Sequence, residues 1–269
     1  MPAKRLAVLG HPVGHSRSPA MHGAALAALG MEGWSYEAIE VAPDAFEERV
    51  RAMPGEGFAG ANVTVPHKGA ALAVADELSA TAREVGAANT LTFSGGEIRA
   101  DNTDAEGLLN ALPDSPRGRR ALVLGAGGAA RAAVWELVRE GAEVDVWNRT
   151  ELRSRNLCEE LGGRPVEAPA QADYELIVNS TSVGLRGEDP FEELPLSATG
   201  FVPGQVVVDM VYGDERTKLL TAAESAGATV IDGIEVLVQQ GALSLEIWTN
   251  RKPPLDVMRT AARTQDLSR

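Results

Sequence analysis

The sequence predicts an α/β protein of two domains, the second built on a doubly wound parallel sheet. Three observations favour this fold. The chain has 269 residues, which exceeds the ~250 at which a single core usually stops growing. Apolar strand patterns alternate with amphipathic helix patterns along most of the chain. A buried-strand pattern that runs into glycines, "RRALVLGAGG", restarts this alternation near the middle.

The first half reads as strand, helix, strand, helix, strand. An apolar run follows Arg5, Ser18 and Pro19 suit the cap and first position of a helix, and Pro66 ends the third strand. We expect strands at 5–10, 34–41 and 58–65 and helices at 18–29, 43–53, 67–79 and 80–86. "NTLTF" and "EIRADN" then read as two strands joined by a glycine turn.

The second half alternates in the same way and then ends in two helices. We expect helices at 128–140, 150–161 and 214–226 and strands at 142–148, 175–180, 205–211 and 228–231. "GIEVLVQQGALSLEIWTN" and "PPLDVMRTAARTQDL" show apolar residues at helical spacing, and we expect both helices to pack on the first domain. The predicted domains are 1–101 with 236–269, and 102–235.

Composition limits the class of partner. The net charge of −13 argues against nucleic acid and anionic membranes as partners. No apolar run reaches the ~18 residues of a membrane span, and the N-terminus lacks a secretory pattern. The single cysteine, Cys158, excludes an internal disulfide and fits a cytoplasmic setting.

The glycine-rich turn after the mid-chain strand favours dinucleotide binding. Gly125, Gly127 and Ala130 occupy the fingerprint positions, directly after an apolar strand and at the opening of a helix. Backbone N–H groups at a helix N-terminus can hold a pyrophosphate there. The domain is therefore predicted to be Rossmann-like, the alternative being a tight turn without a ligand.

The end of the next strand favours NADP over NAD. An acidic residue at this point would accept from the ribose 2′-hydroxyl and repel a 2′-phosphate. The chain instead has Asn148, Arg149 and Thr150, with Arg153 one turn on. Guanidinium groups form strong hydrogen bonds to phosphate. The alternative is that Arg149 and Arg153 are solvated surface charges.

Three polar side chains converge in "ANVTVPHKGA". Asn62 and Thr64 lie two apart on a predicted strand and so share a face, while Val63 and Val65 are expected in the core. Lys68 is expected at the start of the next helix. Because ligands bind at the carboxyl ends of strands in open α/β sheets, this group predicts a substrate site.

Two serines follow the first strand in "HPVGHSRSPAMHG". Ser18 is expected to cap the helix, whereas Ser16 gains nothing locally and is free for a small carboxylate. His11, His15 and His22 show no metal-ligand spacing, so no metal site is predicted.

Two further residues are expected at the same site. Asn89 begins a strand in "GAANTLTF", and Asp104 begins a helix in "IRADNTDAEGLL". Asp104 at a helix start has a structural alternative, since an acidic residue there stabilises the helix dipole.

Taken in order, these motifs resemble the shikimate dehydrogenase family. The matching segments run over nearly the whole chain: "GHPVGHSRSPAMH", "NVTVPHK", "AANT", "DNTDAEG", "GAGGAARA", "NRT", "DMVYGDERT" and "DGIEVLVQQGA". The resemblance implies an NADP-dependent oxidoreductase that interconverts 3-dehydroshikimate and shikimate in a cleft between a substrate domain and a Rossmann domain. Gly23 and Val236 depart from the usual Asn and Met without touching the chemistry.

The resemblance also implies residue roles. Lys68 and Asp104 form the catalytic pair. The substrate is held by Ser16, Ser18, Asn62, Thr64, Asn89, Tyr212 and Gln240. The cofactor is held by Gly125, Ala126, Gly127, Gly128, Ala129, Asn148, Arg149, Thr150, Arg153, Met210 and Gly233.

Other functions remain open on the sequence. A quinate/shikimate dehydrogenase with relaxed substrate or cofactor choice shares the pocket motifs, and a non-catalytic NADP-sensing protein would retain the glycine turn. The C-terminal apolar helix faces suit a monomer or a homodimer.

Overall fold

The structure, a computed structural model, describes residues 4–264. The chain forms two compact units, one of Met1–Gly107 with Leu237–Arg269 and the other of Leu108–Val236. Residues 265–267 of the predicted last helix lie outside the described range. Among the described residues, no helix is both long and apolar enough to cross a membrane.

Each unit is built on one six-stranded sheet. The elements before residue 112 are β1 (Lys4–Gly10), α1 (Ser18–Ala28), β2 (Trp34–Glu40), α2 (Phe46–Ala52), β3 (Phe58–Val63), α3 (Ala70–Val74), β4 (Glu77–Leu78), α4 (Ala80–Val85), β5 (Thr90–Ser94), β6 (Glu97–Asp101) and α5 (Asp104–Ala111). The later elements are β7 (Arg120–Leu124), α6 (Gly128–Arg139), β8 (Glu143–Trp147), α7 (Glu151–Leu161), β9 (Arg164–Pro165), β10 (Leu176–Asn179), α8 (Pro190–Glu193), β11 (Val206–Asp209), α9 (Lys218–Ser225), β12 (Thr229–Asp232), α10 (Gly233–Thr249) and α11 (Leu255–Thr264).

The first sheet is mixed, with strand order β2-β1-β3-β5-β6-β4. β1 pairs in parallel with β2 and β3, whereas β5 runs antiparallel to both β3 and β6. One face is covered by an apolar core that includes Leu9, Phe46, Val63 and Leu91. The carboxyl ends of β1 and β3 therefore lie side by side, which brings the segments after Gly10 and Val63 together.

The second sheet is parallel throughout, with strand order β12-β11-β10-β7-β8-β9. Alternate residues of β7 enter different cores: Ala121 and Val123 pack on one side, Leu122 and Leu124 on the other. A parallel sheet with both faces buried is the doubly wound arrangement predicted from the sequence, and that prediction is confirmed.

The prediction of a strand to 65 and a helix at 67–79 is wrong. β3 ends at Val63, and a helix occupies only Ala70–Val74. The Lys68 carbonyl accepts from the Ala88 N–H at 2.9 Å, so it is tied to the approach to β5 rather than to a helix. Glu77–Leu78 pairs with β6 instead of continuing a helix. Val65 is 64% exposed and not in the core.

The C-terminal helices lie on the first unit. The Trp248 indole N–H donates to the Leu91 carbonyl at 3.0 Å, and Arg17 reaches the Ala262 carbonyl at 3.2 Å. Gly60 has no side chain where the Trp248 ring passes, since a Cβ there would lie 2.2 Å from Trp248 Nε1. α10 thereby brings Gln240 and Ser244 to β3 and β5.

Candidate active site

Lys68 and Asp104 form an ion pair. Lys68 Nζ lies 2.6 Å from Asp104 Oδ2, and the two side chains are only 15% and 14% exposed. Lys68 stands in the turn after β3, not in a helix. Asp104 is held at the start of α5 because the Asn102 side chain accepts from the Asp104 N–H at 3.1 Å and from the Ala105 N–H at 3.2 Å. The pair is partly desolvated and still reachable by a small molecule.

Asn89 holds the other oxygen of Asp104. Its Nδ2 lies 2.9 Å from Asp104 Oδ1 and 3.0 Å from Gln240 Oε1, while its Oδ1 accepts from the Thr103 N–H at 2.7 Å. Because a backbone N–H can only donate, Oδ1 must face Thr103 and the amide nitrogen must face Asp104. The two Asp104 oxygens therefore accept from different residues, one from Lys68 and the other from Asn89.

Gln240 reaches the pair from α10. Its Nε2 donates to the Leu237 carbonyl at 2.8 Å, which leaves Oε1 directed at Asn89. α5 and α10 approach closely here, since a Cβ on Gly107 would lie 2.6 Å from Gln240 Cβ. Glycine at 107 is thus needed for the placement of Gln240.

Asn62 belongs to a buried network behind the pair. Its Nδ2 lies 2.9 Å from Ser244 Oγ and 3.2 Å from the Asn89 carbonyl, and its Oδ1 accepts from Tyr36 Oη at 2.7 Å. Sequence reasoning missed Tyr36 and Ser244. They are separated from Asn62 by 26 and 182 positions, and no local pattern links residues so far apart.

The two serines lie at the end of β1, and both expectations about their local roles are wrong. Ser18 is already inside α1, and no side chain of the described residues caps that helix. Ser16 does have a local bond, because its Oγ accepts from the Ser18 N–H at 3.3 Å. Thr64 follows β3, and its methyl group lies so close to Gly10, the last residue of β1, that a Cβ on Gly10 would be 2.5 Å away. Among the described residues, neither serine is hydrogen-bonded to Lys68.

The histidines do not assemble a metal site. His22 is fully buried, its ring stacks on Tyr36 with centroids 4.2 Å apart, and burial lowers its pKa to about 3. Burial also lowers the pKa of His67, whose Nε2 contacts the Val41 carbonyl. Within residues 4–264, no group of three or more His, Cys, Asp or Glu side chains is arranged to hold a metal ion.

The glycine turn of the second unit has the shape of a phosphate cradle. Gly125 has φ +115°, which disfavours residues with a side chain, and its Cβ would lie 2.9 Å from Ser180 Oγ. Above Gly127 a Cβ would meet nothing within 4 Å. α6 starts at Gly128 without an acidic residue in its first turn. The N–H groups and dipole of this helix end can therefore receive the phosphates of a dinucleotide, at Gly125–Ala129.

The segment after β8 presents cationic groups next to this turn. Arg149 is 83% exposed, and its Nη1 lies 3.6 Å from Glu193 Oε2. Such a surface pair holds its partners weakly. Asn148 Nδ2 donates to the Thr150 carbonyl at 2.9 Å, which fixes the turn, and Arg153 is exposed in the first turn of α7. The residues fit a 2′-phosphate.

Met210, Tyr212 and Gly233 also lie in the second unit. The Met210 N–H donates to the Asn179 carbonyl at 2.9 Å. A Cβ on Gly233 would lie 2.5 Å from the Met210 carbonyl oxygen, so the chain needs glycine there. Asp209, which sequence reasoning missed, accepts from Asn179 at 2.9 Å, and burial raises the pKa of its carboxyl. Tyr212 is half-buried in the segment after β11.

Comparison with known protein families gives matches in both units. Three family models match: a shikimate dehydrogenase substrate binding domain over residues 8–91, shikimate / quinate 5-dehydrogenase over residues 108–184, and a shikimate 5′-dehydrogenase C-terminal domain over residues 233–263.

Relatives match over nearly their full length. A Methanopyrus kandleri protein named shikimate dehydrogenase (NADP(+)) is 42% identical over 273 residues, which cover 94% of this chain and 93% of that protein. A protein of the same name from Thermus thermophilus is 45% identical over 261 residues, covering 96% and 97%. The crystal structure of shikimate 5-dehydrogenase from T. thermophilus, in complex with NADP(H) and shikimate, has a TM-score of 0.89 at 44% identity and covers 97% of this chain and 98% of that one.

Proposed function

The chain belongs to the shikimate dehydrogenase family, and from that membership we propose how its side chains carry out the reaction. It is an NADP-dependent oxidoreductase that reversibly reduces 3-dehydroshikimate to shikimate in aromatic amino-acid biosynthesis. The observation that carries the residue assignment is the Lys68–Asp104 pair, with Nζ and Oδ2 2.6 Å apart and Asn89 on the second carboxylate oxygen.

The two units divide the work. The unit formed by Met1–Gly107 with Leu237–Arg269 binds the substrate, and Leu108–Val236 binds NADP. Support comes from the contents of each unit: the first holds the ion pair and the amide cluster, and the second holds the parallel sheet with the glycine turn at its strand ends. We place the boundary between these two domains at the division of the compact units, between 107 and 108, where the sequence suggested 101 and 102.

Lys68 and Asp104 handle the proton. Reduction of a ketone puts negative charge on its oxygen, so a proton must reach that atom as the hydride reaches carbon. When bound, NADPH would supply the hydride. The Lys68 ammonium donates the proton, and the Asp104 carboxylate, held by Asn89, keeps Nζ directed. In the oxidising direction the pair accepts the alcohol proton as one coupled unit.

The remaining residues of the first unit orient the substrate. Ser16 and Ser18, which follow β1, and Thr64, which follows β3, bind the carboxylate. Asn62, Asn89 and Gln240 bind the ring hydroxyls. The hydrogen bonds among these amides support the assignment, because they hold each group in one direction before a ligand arrives. Tyr212, which lies in the second unit, is also assigned to the substrate.

The second unit holds NADP through two groups of residues. Gly125–Ala129 bind the pyrophosphate, and the segment Asn148–Arg153 binds the 2′-phosphate, with Arg149 and Arg153 as its cations. Met210 and Gly233 would lie next to the nicotinamide of a bound NADP. The close approach of Gly233 to the Met210 carbonyl supports assigning the two residues together, because a Cβ on Gly233 would lie only 2.5 Å from that oxygen.

An absorbance assay at 340 nm with shikimate, quinate, NADP and NAD in all four pairings tests the function. We expect turnover to be greatest with shikimate and NADP, since Arg149 and Arg153 favour the 2′-phosphate. Comparable rates with quinate would identify a relaxed quinate/shikimate enzyme. Absence of turnover in every pairing, with NADP still bound, would identify a non-catalytic sensor and contradict the proposal.

We propose a cytoplasmic location and a monomeric or homodimeric state, with no nucleic-acid or membrane partner. The buried Cys158, which forms no disulfide, supports the cytoplasmic location. The net charge of −13 supports the absence of a nucleic-acid or membrane partner. Exposed Ile247 and Val257 on the C-terminal helices suit a second copy. Light scattering on the purified chain distinguishes the two states.

A further inference from the structure

Tyr36 is tied to the candidate site although no motif includes it. It lies in β2, and in-register pairing places Tyr36, Leu6 and Gly60 in one row across the sheet. Asn62 lies two residues beyond Gly60 and so faces the same side. Tyr36 Oη reaches the Asn62 side chain across β1 and donates to Oδ1 at 2.7 Å.

The orientation of the Asn62 amide is determined by its neighbours. The Asn89 backbone carbonyl lies 3.2 Å from Nδ2 and can only accept, so the amide nitrogen must face it. Oδ1 then faces Tyr36, whose hydroxyl must donate. A half-turn of the amide would set two carbonyl oxygens against each other. Without the hydroxyl, Oδ1 would lose its donor in a site that is only 6% exposed.

The Tyr36 ring has little freedom to move. It stacks on the His22 ring with centroids 4.2 Å apart and planes 4° from parallel, and the Trp248 ring lies at 6.4 Å. His22 is fully buried, and burial keeps it uncharged by lowering its pKa to about 3. The hydroxyl is therefore presented to Asn62 from a rigid support.

We propose that Tyr36 is a positioning residue for the substrate: its hydroxyl holds the Asn62 amide with both N–H groups turned toward the Asn89, Thr90 and Ser244 side. This inference rests on the proposed function. Asn62 Nδ2 has three protein acceptors within 3.3 Å, so a substrate hydroxyl must share its two hydrogens with them. That sharing requires the direction of the amide to be set beforehand.

The test is Tyr36→Phe, which keeps the stacked ring and removes the hydroxyl. We expect the KM for shikimate to rise about tenfold, because the lost hydrogen bond supports binding in both the ground state and the transition state. The kcat should stay within about threefold of the wild-type value, and the KM for NADP should not change. Tyr174→Phe is the matched control. Tyr174 is also buried and donates to a side chain, Asp145 Oδ2 at 2.8 Å, but in the second unit.

A mutant cycle separates positioning from general destabilisation. Asn62→Ser alone should raise the KM for shikimate by a similar factor, and adding Tyr36→Phe should change it by less than about twofold. Equal shikimate KM values for Tyr36→Phe and Tyr174→Phe, or additive effects in the cycle, would overturn the inference. The proposed function would still stand in that case, provided that the wild-type enzyme turns over shikimate. An inactive wild type would overturn both.

Discussion

At the scale of single residues, the Lys68–Asp104 pair and the His22 ring show two ways in which groups shielded from water avoid an unpaired charge. Lys68 and Asp104 neutralise each other at 2.6 Å, and each carboxylate oxygen of Asp104 has its own donor. Within the described part of the chain, neither ring nitrogen of His22 has a hydrogen-bond partner. Because a buried charge without a partner is costly, His22 stays neutral. The stability of the first unit should therefore respond to pH through this residue.

We predict that His22→Phe removes part of the acid sensitivity of folding. The pKa of His22 falls from 6.5 to about 3 on burial. At a pH between these two values, His22 binds a proton in the unfolded chain but not in the folded chain. The free energy of unfolding therefore keeps its full value above pH 6.5 and decreases as the pH drops. From pH 6.5 to 5 the wild type should lose about 1 to 2 kcal/mol more than His22→Phe. Urea unfolding at several pH values measures this, and parallel curves would contradict it.

Arg149 should decide between the two dinucleotides. Its contact with Glu193, at 3.6 Å and largely exposed, does not commit the guanidinium elsewhere. Arg149→Ala should raise the Kd for NADP about ten- to a hundredfold, the scale of a lost charge-assisted phosphate bond, and leave the Kd for NAD nearly unchanged. Arg155→Ala, in the helix α7 that follows Arg149 and paired with Glu151, serves as the control. Equal losses for both dinucleotides, measured by calorimetry, would argue against a phosphate contact.

At the scale of elements, the close approach of α5 and α10 holds Gln240 next to Asn89. The substitution Gly107→Ala tests this contact between the two helices. Alanine would improve helix propensity by about 1 kcal/mol, but its Cβ would lie 2.6 Å from Gln240 Cβ and 2.8 Å from the Gln240 nitrogen. Overpacking of this kind costs about 1 to 3 kcal/mol, so the clash should win.

We therefore expect Gly107→Ala to lower the melting temperature and to raise the KM for shikimate. Gly55→Ala is the control, since a Cβ there meets nothing within 4 Å. If both variants kept the wild-type KM, Gln240 would not depend on this helix contact.

The short helix α3 shows where element prediction from sequence reached its limit. Apolar spacing after Lys68 predicts a long helix, yet Glu77–Leu78 pairs with β6, and the Asp76 carboxylate accepts from the Ile98 N–H at 2.8 Å. Pairing with a distant strand thus outweighed local helix propensity. The start of α9 was also predicted too early, but for a local reason. The Thr217 hydroxyl accepts from the Leu220 N–H and caps the helix, so α9 begins after Thr217 and not at the predicted 214.

At the scale of the whole molecule, both sheets could be predicted from the sequence because their signals are local, and the candidate site residues, which stay a prediction, were found from signals of the same kind. The period of apolar residues marks strands such as β7, and glycine at 125 marks a backbone with φ +115°. Tyr36, Ser244 and Asp209 could not be found in this way. Their importance depends on which distant side chain they meet, and only the folded chain brings those partners together.

The proposed reaction depends on Lys68 as the proton donor, which Lys68→Ala tests most directly. The variant should lower kcat by about two to four powers of ten and leave the Kd for shikimate similar, because the lost group acts in the transition state. Lys218→Ala is the matched control, as Lys218 also pairs with an aspartate, Asp189, at 2.7 Å but on an exposed surface. Single-turnover rates at 340 nm, with shikimate binding measured separately, distinguish the outcomes. A Lys68→Ala protein with the wild-type rate would contradict the account.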